Sequence, residues 1–442
     1  MWYFLNLRQM KENIEETKLD SGLVVLTDRM EGVRSATLGF FFRAGSRQEP
    51  DELNGISHFI EHAVFKGTRK RSALDIAIEQ DRLGGNLDAF TTHEETGFAI
   101  KVIDDQLERA FDLIADMLVN PRFDEADLES EQRVIIEEMK MIDDSPEEVL
   151  GDIFSEAFFP GHPLGMSIAG TPETVKSFGH DTTRRYHESV FNASNLVIAA
   201  AGNVEHEKVV ELARSANFGG LAGGTSVRPE LRTPLTAAPL IVKHRPDLEQ
   251  AHLIVATPFV AATDDRRYAA DLLANVIGGG TSSRLWQKVR EERGLAYSVG
   301  ASASMYQDCG IFSIFAATSP EQVAEVVDLS IAEMRDVVAN GISADELELA
   351  KQQSRASILL SLEDSASRAA ALAQSEMVYG RQIPVEETLA KTEAVTAEDC
   401  HALAREYFRS DLVAFAALGD LADAAIDRDR LRITYLIRSF LT

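Results

Sequence analysis

His58, Glu61 and His62 form the pattern H-x-x-E-H within residues 55–62. On a helix the two imidazoles stand at positions i and i+4, so both rings project from one face, one turn apart. Glu61 follows His58 by three positions and leans toward the same face. This is the inverted zincin order, which predicts a zinc site in which Glu61 is the general base and not a ligand.

Two histidines do not complete such a site, because catalytic zinc normally takes three protein ligands and keeps one position for water. A more distant residue must therefore supply the third ligand. A charged surface turn can also carry H-x-x-E-H by chance. The short motif alone leaves both interpretations open.

The motif and the segment 131–138, EQRVIIEE, together resemble the pitrilysin/insulinase family of zinc metallopeptidases, the inverzincins. The likeness is greatest to the short-chain branch similar to the mitochondrial processing peptidase, and it extends from about residue 15 to about residue 430. It implies that Glu138 is the third ligand and Glu131 an auxiliary carboxylate. The neighbouring Glu137 is the rival for the ligand role.

The composition is that of a globular chain, with 442 residues, 45% hydrophobic and 26% charged, which predicts at least two packed domains. A net charge of −27 argues against binding to nucleic acid or to an anionic membrane surface, and it favours positively charged peptides. Two cysteines, Cys309 and Cys400, fit a reducing compartment. With no signal-peptide pattern and no apolar run of membrane-spanning length, we expect a cytoplasmic protein.

The elements that must position the motif follow from hydrophobic periodicity. Apolar runs rich in β-formers and bounded by glycine predict strands, and apolar residues at helical spacing predict helices. The predicted elements of the first half are a buried strand at 36–47, a half-exposed strand at 84–96, helices at 105–117 and 123–141, and a closing strand at 195–203. The second of these helices carries Glu131 and Glu138.

The same order of elements starts again after the glycine-rich stretch 219–225, with a strand at 252–257. Aligning residues 280–281 with residues 67–68, both Gly-Thr, replaces the metal motif with Asp271, Ala274 and Asn275. The repeat predicts an α+β fold of two similar domains in tandem, each a mainly antiparallel sheet with helices packed on one face. The second domain has lost the metal site.

Breaks in this pattern divide the chain into five segments. They are an N-terminal extension (1–14), a zinc-binding domain (15–217), a linker (218–238), a second domain (239–430) and an apolar C-terminal tail (431–442). Met1 and Met10 both stay open as the start of the protein.

The second domain carries Arg290 and Tyr297, seven positions apart. From the residues alone, Arg290 is one charged residue in a segment of mixed charge, and Tyr297 is an ordinary aromatic residue of a strand. The resemblance implies that the pair holds the substrate and donates to the oxyanion that develops in the transition state. It also implies that an extended substrate adds to the strand at 84–96, in which Asp88 replaces the asparagine of many relatives.

The resemblance thus implies a zinc endopeptidase with one Zn²⁺ per chain that hydrolyses peptides or unfolded segments in an enclosed chamber. Because longer members of the family fuse four domains and this chain has two, we expect a homodimer. In it the Arg290/Tyr297 pair of one chain completes the zinc site of the other. The alternative is a non-catalytic or hetero-oligomeric processing or scaffold subunit of the same family.

Overall fold

The computed structural model describes residues 12–216, 218, 232–422 and 426–433. The chain divides into two compact units, each assembled from separate segments. The first unit comprises residues 1–141, 166–230 and 358–385, and the second comprises residues 142–165, 231–357 and 386–442. Each unit therefore includes a short segment from the opposite half of the sequence.

The helices and strands are numbered along the chain. The strands are β1 (Ile14–Lys18), β2 (Val24–Arg29), β3 (Ser35–Phe42), β4 (Leu87–Thr91), β5 (Thr96–Ile103), β6 (Leu196–Gly202), β7 (Leu240–His244), β8 (Ala251–Phe259), β9 (Ala296–Met305), β10 (Gly310–Thr318) and β11 (Ala414–Gly419). The α-helices are α1 (Ile56–Ala63), α2 (Ala73–Leu83), α3 (Leu107–Val119), α4 (Glu125–Asp143), α5 (Pro146–Phe158), α6 (Pro172–Lys176), α7 (His180–Val190), α8 (His206–Ser215), α9 (Arg267–Gly278), α10 (Val323–Asn340), α11 (Ala344–Ser361), α12 (Ser365–Tyr379), α13 (Val385–Ala394) and α14 (Ala397–Tyr407).

The first unit contains a six-stranded sheet in the order β1-β2-β6-β3-β5-β4. Every neighbouring pair is antiparallel except β2 and β6. The central strands β3 and β6 are apolar and buried along almost their whole length, as expected when both faces of a sheet are covered. β4, the strand that follows the Gly84-Gly85 break, forms one edge.

One face of this sheet carries the main core of the unit. Side chains from α1, α3, α4, α7 and α8 pack there against alternate residues of the strands. Phe40 of β3 and Phe59 of α1 are fully buried, and the Phe40 ring meets that of Phe111 on α3 at a centroid distance of 5.1 Å. This packing fixes the buried side of α1, the helix that carries the H-x-x-E-H motif.

The opposite face of the sheet is covered by α12, which comes from the second half of the sequence. Its Leu372 and Ala373 are buried against residues of β2, β3 and β6. A nearly buried ion pair joins Arg368 of α12 to Asp28 of β2, with 2.6 Å between Nη1 and Oδ2. The first unit therefore requires a segment that lies more than a hundred residues beyond its other strands.

The second unit repeats this plan with a five-stranded sheet in the order β7-β11-β8-β10-β9. All pairs are antiparallel except β7 and β11. Helices α9, α10 and α14 contribute to the core on one face. On the other face α5, from the first half of the sequence, buries Leu150, Phe154 and Phe158 against β8 and β11.

The two sheets with their helices confirm the predicted fold class, and each sheet has a further helix on its second face. Most of the predicted linker and N-terminal extension, including Met10, lies outside the described residues, as does the tail from residue 434. Leu431 and Ile433, at the start of the predicted tail, are buried in the core of the second unit. Within the described part of the chain, no helix is both long and apolar enough to cross a membrane.

Candidate metal centre

The start of α1 is fixed by a glycine and a buried carboxylate. Gly55, the N-cap, has φ of 95°, and a Cβ at this position would lie 2.5 Å from the carbonyl oxygen of Ala169. Only glycine fits both conditions. The backbone amides of Gly55 and Ser57 each donate to Glu49, at 2.7 Å, so this buried side chain satisfies two amides that the helix leaves unpaired.

Glu49 itself is 6% exposed, and burial raises its pKa to about 7. Glu49 is nine residues before His58, and its carboxyl group accepts hydrogen bonds from the start of the helix and from Asn54. It therefore sets where the first turn of α1 begins, and with it the direction in which the motif side chains project.

The motif side chains lie together on α1, away from the residues that enter the core. The rings of His58 and His62 are 4.7 Å apart between centroids. Glu138 of α4 reaches both: its Oε2 lies 3.8 Å from His58 Nε2 and 3.7 Å from His62 Nε2. Among the residues that the structure describes, these three form the one cluster of His, Cys, Asp and Glu suited to a metal ion.

This donor set fits zinc. Tetrahedral zinc with ligand atoms about 2.1 Å away places those atoms about 3.4 Å from one another, close to the observed separations. Glu138 Oε2 is buried and has no hydrogen-bond partner among the described residues, so its lone pairs are free for a cation. Burial, and then the nearness of His62, lowers the pKa of His58 to about 4, which leaves a neutral imidazole at neutral pH.

Glu131, two turns before Glu138 on α4, orients the second histidine. It is 2% exposed, and its Oε2 lies 3.2 Å from His62 Nδ1, while Lys66 Nζ lies 2.6 Å from its Oε1. Burial opposes ionisation of Glu131, but the hydrogen bonds from His62 and Lys66 outweigh it and lower its pKa. With Nδ1–H donating to Glu131, His62 presents Nε2 toward Glu138 as a free acceptor.

The pKa of His62 is raised, whereas that of Glu131 is lowered. Burial lowers the pKa of its imidazole, but the hydrogen bond to Glu131 and the charges of Glu61 and Glu138 outweigh burial and raise it. In the metal-free protein a proton therefore competes for His62 more strongly than for His58.

Glu61 stands beside the three ligand atoms without joining them. Its carboxylate is buried, and Thr91 of β4 donates its hydroxyl to Glu61 Oε2 at 2.6 Å. Burial raises the pKa of Glu61, and the Thr91 hydrogen bond opposes that rise. A carboxylate with a raised pKa next to a metal site suits the transfer of a proton near neutral pH.

The second unit brings Arg290 and Tyr297 together. Arg290 lies on the π-helical turn Trp286–Glu291, and its Nη1 donates to the backbone oxygen of Tyr297 at 3.0 Å. Its guanidinium carbon lies 4.1 Å from the centroid of the Trp286 ring and 4.5 Å from that of Tyr297. The cation is therefore stacked between two aromatic faces, and the Tyr297 side chain is 78% exposed.

The sequence predicted the three ligands as well as Glu61, Glu131, Arg290 and Tyr297. In the structure the ligands lie together on α1 and α4 with Glu61 and Glu131 beside them, and Arg290 contacts Tyr297 in the second unit. The rival Glu137 lies outside the cluster: it is 70% exposed and pairs with Lys140 at 2.6 Å. Thr91 and Trp286 were missed. The strand alternation of β4 contains a signal for Thr91, since it falls on the same face as Leu87 and Ala89, which pack toward the core.

Comparison with known proteins places this chain in a family. Residues 24–172 match the model of the insulinase family, peptidase family M16, and residues 177–354 match that of the peptidase M16 inactive domain. A protein of Streptomyces coelicolor described as an uncharacterized zinc protease is 40% identical over 399 residues, which cover 89% of this chain and 87% of that protein.

Two solved structures share the fold. A peptidase M16 inactive domain from Pseudomonas fluorescens is similar with a TM-score of 0.85 at 20% identity, covering 92% of this chain and 98% of that one. A protease from Helicobacter pylori is similar with a TM-score of 0.84 at 22% identity, covering 92% and 100% of the two chains. The chain belongs to the insulinase family of zinc proteases, peptidase family M16.

Proposed function

We propose that the chain is a zinc-dependent endopeptidase whose ion is held by His58, His62 and Glu138. The observation that carries the proposal is the convergence of two imidazole nitrogens and an unpaired carboxylate oxygen next to the buried Glu61. When bound, zinc supplies a Lewis acid for a peptide carbonyl and lowers the pKa of water. Three protein ligands leave a coordination position for this chemistry.

Glu61 moves the proton in the proposed reaction. Because Thr91 holds Oε2, the other oxygen, Oε1, is the one that accepts a proton from the attacking water. The same carboxyl group then gives that proton to the departing amine, which must be protonated to leave. The orientation of His62 by Glu131 keeps the ligand geometry fixed while Glu61 changes its protonation state.

Arg290 and Tyr297 are proposed as donors to the charge that develops on the scissile carbonyl oxygen. The exposed Tyr297 hydroxyl and the edge of the stacked Arg290 guanidinium are both hydrogen-bond donors. Donors of this kind contribute most when they are already in place before the reaction begins.

The proposed substrates are peptides or unfolded segments in an extended conformation. β4 pairs with β5 on one side only in the described sheet, and an open sheet edge accepts a further strand through backbone hydrogen bonds. Such recognition reads the backbone and tolerates many side chains. A net charge of −27 favours basic peptides among them.

The proposal is tested with a quenched fluorescent peptide library that contains basic and acidic members. The zinc-loaded protein should cleave internal bonds, lose activity after treatment with a chelator, and regain it when zinc is returned. Cleavage that survives complete removal of metal would contradict a zinc mechanism. Absence of cleavage by the zinc-loaded protein would favour the non-catalytic or hetero-oligomeric subunit instead.

We further propose a homodimer in which Arg290 and Tyr297 act on the partner's zinc. Mixing a His62→Ala chain with a Tyr297→Phe chain, under conditions that allow subunit exchange, should restore about a quarter of the wild-type activity, since half of the dimers are mixed and one site in each is intact. A mixture of His62→Ala with Glu61→Gln is the matched control and should stay inactive, because both changes fall in the metal-binding unit. Full activity of a monomer would contradict the dimer. Cytoplasmic localisation stays a prediction.

A further inference from the structure

We infer that Thr91 is a positioning residue for Glu61: its hydroxyl holds the general base in the orientation needed to accept a proton. The inference rests on the proposed peptidase function and adds a residue to it. It starts from a hydrogen bond of 2.6 Å between Thr91 Oγ1 and Glu61 Oε2, which joins β4 to α1.

The backbone around Thr91 is firmly held. Thr91 lies opposite Thr96 at the end of the β4–β5 pair, and the turn that follows is closed by the Thr92 amide, which donates to the carbonyl of Glu95 at 2.8 Å. Thr96 in turn donates its buried hydroxyl to the carbonyl of Ala44 at 3.0 Å. The hydroxyl of Thr91 therefore projects from a fixed point.

The side of β4 from which Thr91 projects is set by strand alternation. Leu87 and Ala89 contact the core that includes α1, whereas Phe90 packs on the opposite face of the sheet. Thr91 shares the face of Leu87 and Ala89, because side chains on a strand alternate. On this face it presents its hydroxyl to Glu61.

A glutamate side chain has three rotatable bonds, so an unheld Glu61 samples several orientations of its carboxylate. The Thr91 hydrogen bond engages Oε2 and so restricts these rotations, which leaves Oε1 as the oxygen that does not accept from Thr91. Loss of the hydroxyl leaves the carboxylate in place but less often aligned for proton transfer. Alignment of reacting groups affects the chemical step, and so it should appear in kcat rather than in metal or substrate binding.

The position of Thr91 on an edge strand has a second consequence. A peptide that adds to β4 pairs with the same strand whose side chain holds the base. Peptides long enough to cover β4 should therefore gain kcat as well as affinity, since interactions remote from the scissile bond then help to align the base.

The test compares Thr91→Val, which replaces the hydroxyl with a methyl group of similar size, with Thr91→Ser, which retains the hydroxyl. Thr91→Val should lower kcat about 10- to 100-fold on a peptide that the wild type cleaves, and Thr91→Ser should stay within about threefold of the wild type. Thr91→Ala repeats the loss of the hydroxyl with a smaller side chain, in case valine impairs folding.

Two readouts other than activity separate positioning from a structural role. Zinc affinity, measured by competition with a fluorescent chelator, should change less than about threefold in Thr91→Val. The substitution alters neither a zinc ligand nor a contact that orients a ligand. Peptide affinity, measured in a Glu61→Gln background that binds without cleaving, should also be unchanged by the valine.

An unchanged kcat in Thr91→Val would overturn the inference and leave the proposed function standing. Loss of zinc or of peptide affinity with a proportional loss of kcat would also overturn it, since Thr91 would then be structural. A wild type that binds zinc and cleaves no peptide would remove the proposed function itself, and this inference with it.

Discussion

The assignment of the third zinc ligand is tested by two substitutions at adjacent positions, Glu138→Gln and Glu137→Gln. Glu138 lies on the face of α4 that carries the buried Glu131, and it directs an unpaired oxygen between the two imidazoles. Glu137 is 70% exposed and paired with Lys140. The pair is thus a matched comparison in which position alone decides the outcome.

The expected magnitude follows from the number of ligands. Structural zinc sites with four protein ligands contribute roughly 10–16 kcal/mol, or about 2.5–4 kcal/mol per ligand. Loss of Glu138 should therefore weaken zinc binding about 60- to 700-fold, at about 1.4 kcal/mol for each factor of ten. Glu131→Gln removes the negative charge beside His62 and leaves all three ligands in place, so its zinc affinity should fall about 10- to 100-fold.

The assay is competition for zinc with a chelator of known affinity, on purified proteins whose folding is checked by circular dichroism. The predicted order of zinc affinity is wild type equal to Glu137→Gln, then Glu131→Gln, then Glu138→Gln. If Glu137→Gln weakens binding as much as Glu138→Gln, the assignment of the third ligand from the geometry is wrong. An unchanged affinity in Glu138→Gln would refute it directly.

Three further predictions concern stability, pH and the second unit. Arg368→Met leaves Asp28 buried without its partner and should lower the free energy of unfolding by about 3–5 kcal/mol, measured with urea. In the metal-free protein the raised pKa of His62 means that zinc affinity falls about tenfold per pH unit once the pH drops below that pKa. Trp286→Leu removes one face of the stack on Arg290 and should lower kcat/KM about 5- to 30-fold with zinc content unchanged.

Each of these predictions has a control. Arg34→Met breaks an ion pair to Asp104 whose arginine is 73% exposed, and it should leave the free energy of unfolding nearly unchanged. Equal effects of the two arginine substitutions would contradict the distinction between a buried and an exposed ion pair. Glu131→Gln removes the main cause of the raised His62 pKa, so its zinc affinity should fall less steeply between pH 8 and 6. If zinc affinity falls equally steeply with pH in the wild type and in Glu131→Gln, a group other than His62 causes the pH dependence. Loss of zinc from Trp286→Leu would show that Trp286 has a structural role.

The motif part of the metal cluster was predictable because residues at positions i, i+3 and i+4 share one face of a helix. His58, Glu61 and His62 share a helix face whenever the segment is helical, and the apolar residues Phe59 and Ile60 between them require that helix to pack against the core. Glu138 lies on a different helix, and only the family resemblance linked it to the motif. Periodicity predicted α4, and neither periodicity nor the motif gave the distance between α4 and α1.

The sequence did not identify the partners in the contacts that hold the site in place. Glu49 caps α1 from a segment six residues before the N-cap, and Thr91 reaches Glu61 across a sheet edge. Both contacts depend on the register of the fold, which local patterns do not specify. The strand predicted at 84–96 includes Thr91, and its alternation places Thr91 on the face of Leu87 and Ala89, but it does not identify the partner of the Thr91 hydroxyl.

The exchange of α5 and α12 between the units is a second feature beyond the reach of sequence patterns. Each helix has an apolar face that the sequence reveals, but several sheet faces in the chain could accept it. The choice is specified by particular polar pairs, such as Arg368 with Asp28, that are more than three hundred residues apart. Composition and periodicity carry no information on pairings over that separation.

The most direct test of a zinc peptidase built on this cluster is metal content and peptide cleavage of the wild type beside Glu61→Gln. Both proteins should contain about one zinc per chain, since Glu61 is not a ligand, and cleavage by the variant should fall by about 10²- to 10⁴-fold. Equal cleavage by the wild type and by Glu61→Gln would contradict the role of Glu61 as the general base. Cleavage by the wild type without zinc would contradict a zinc mechanism.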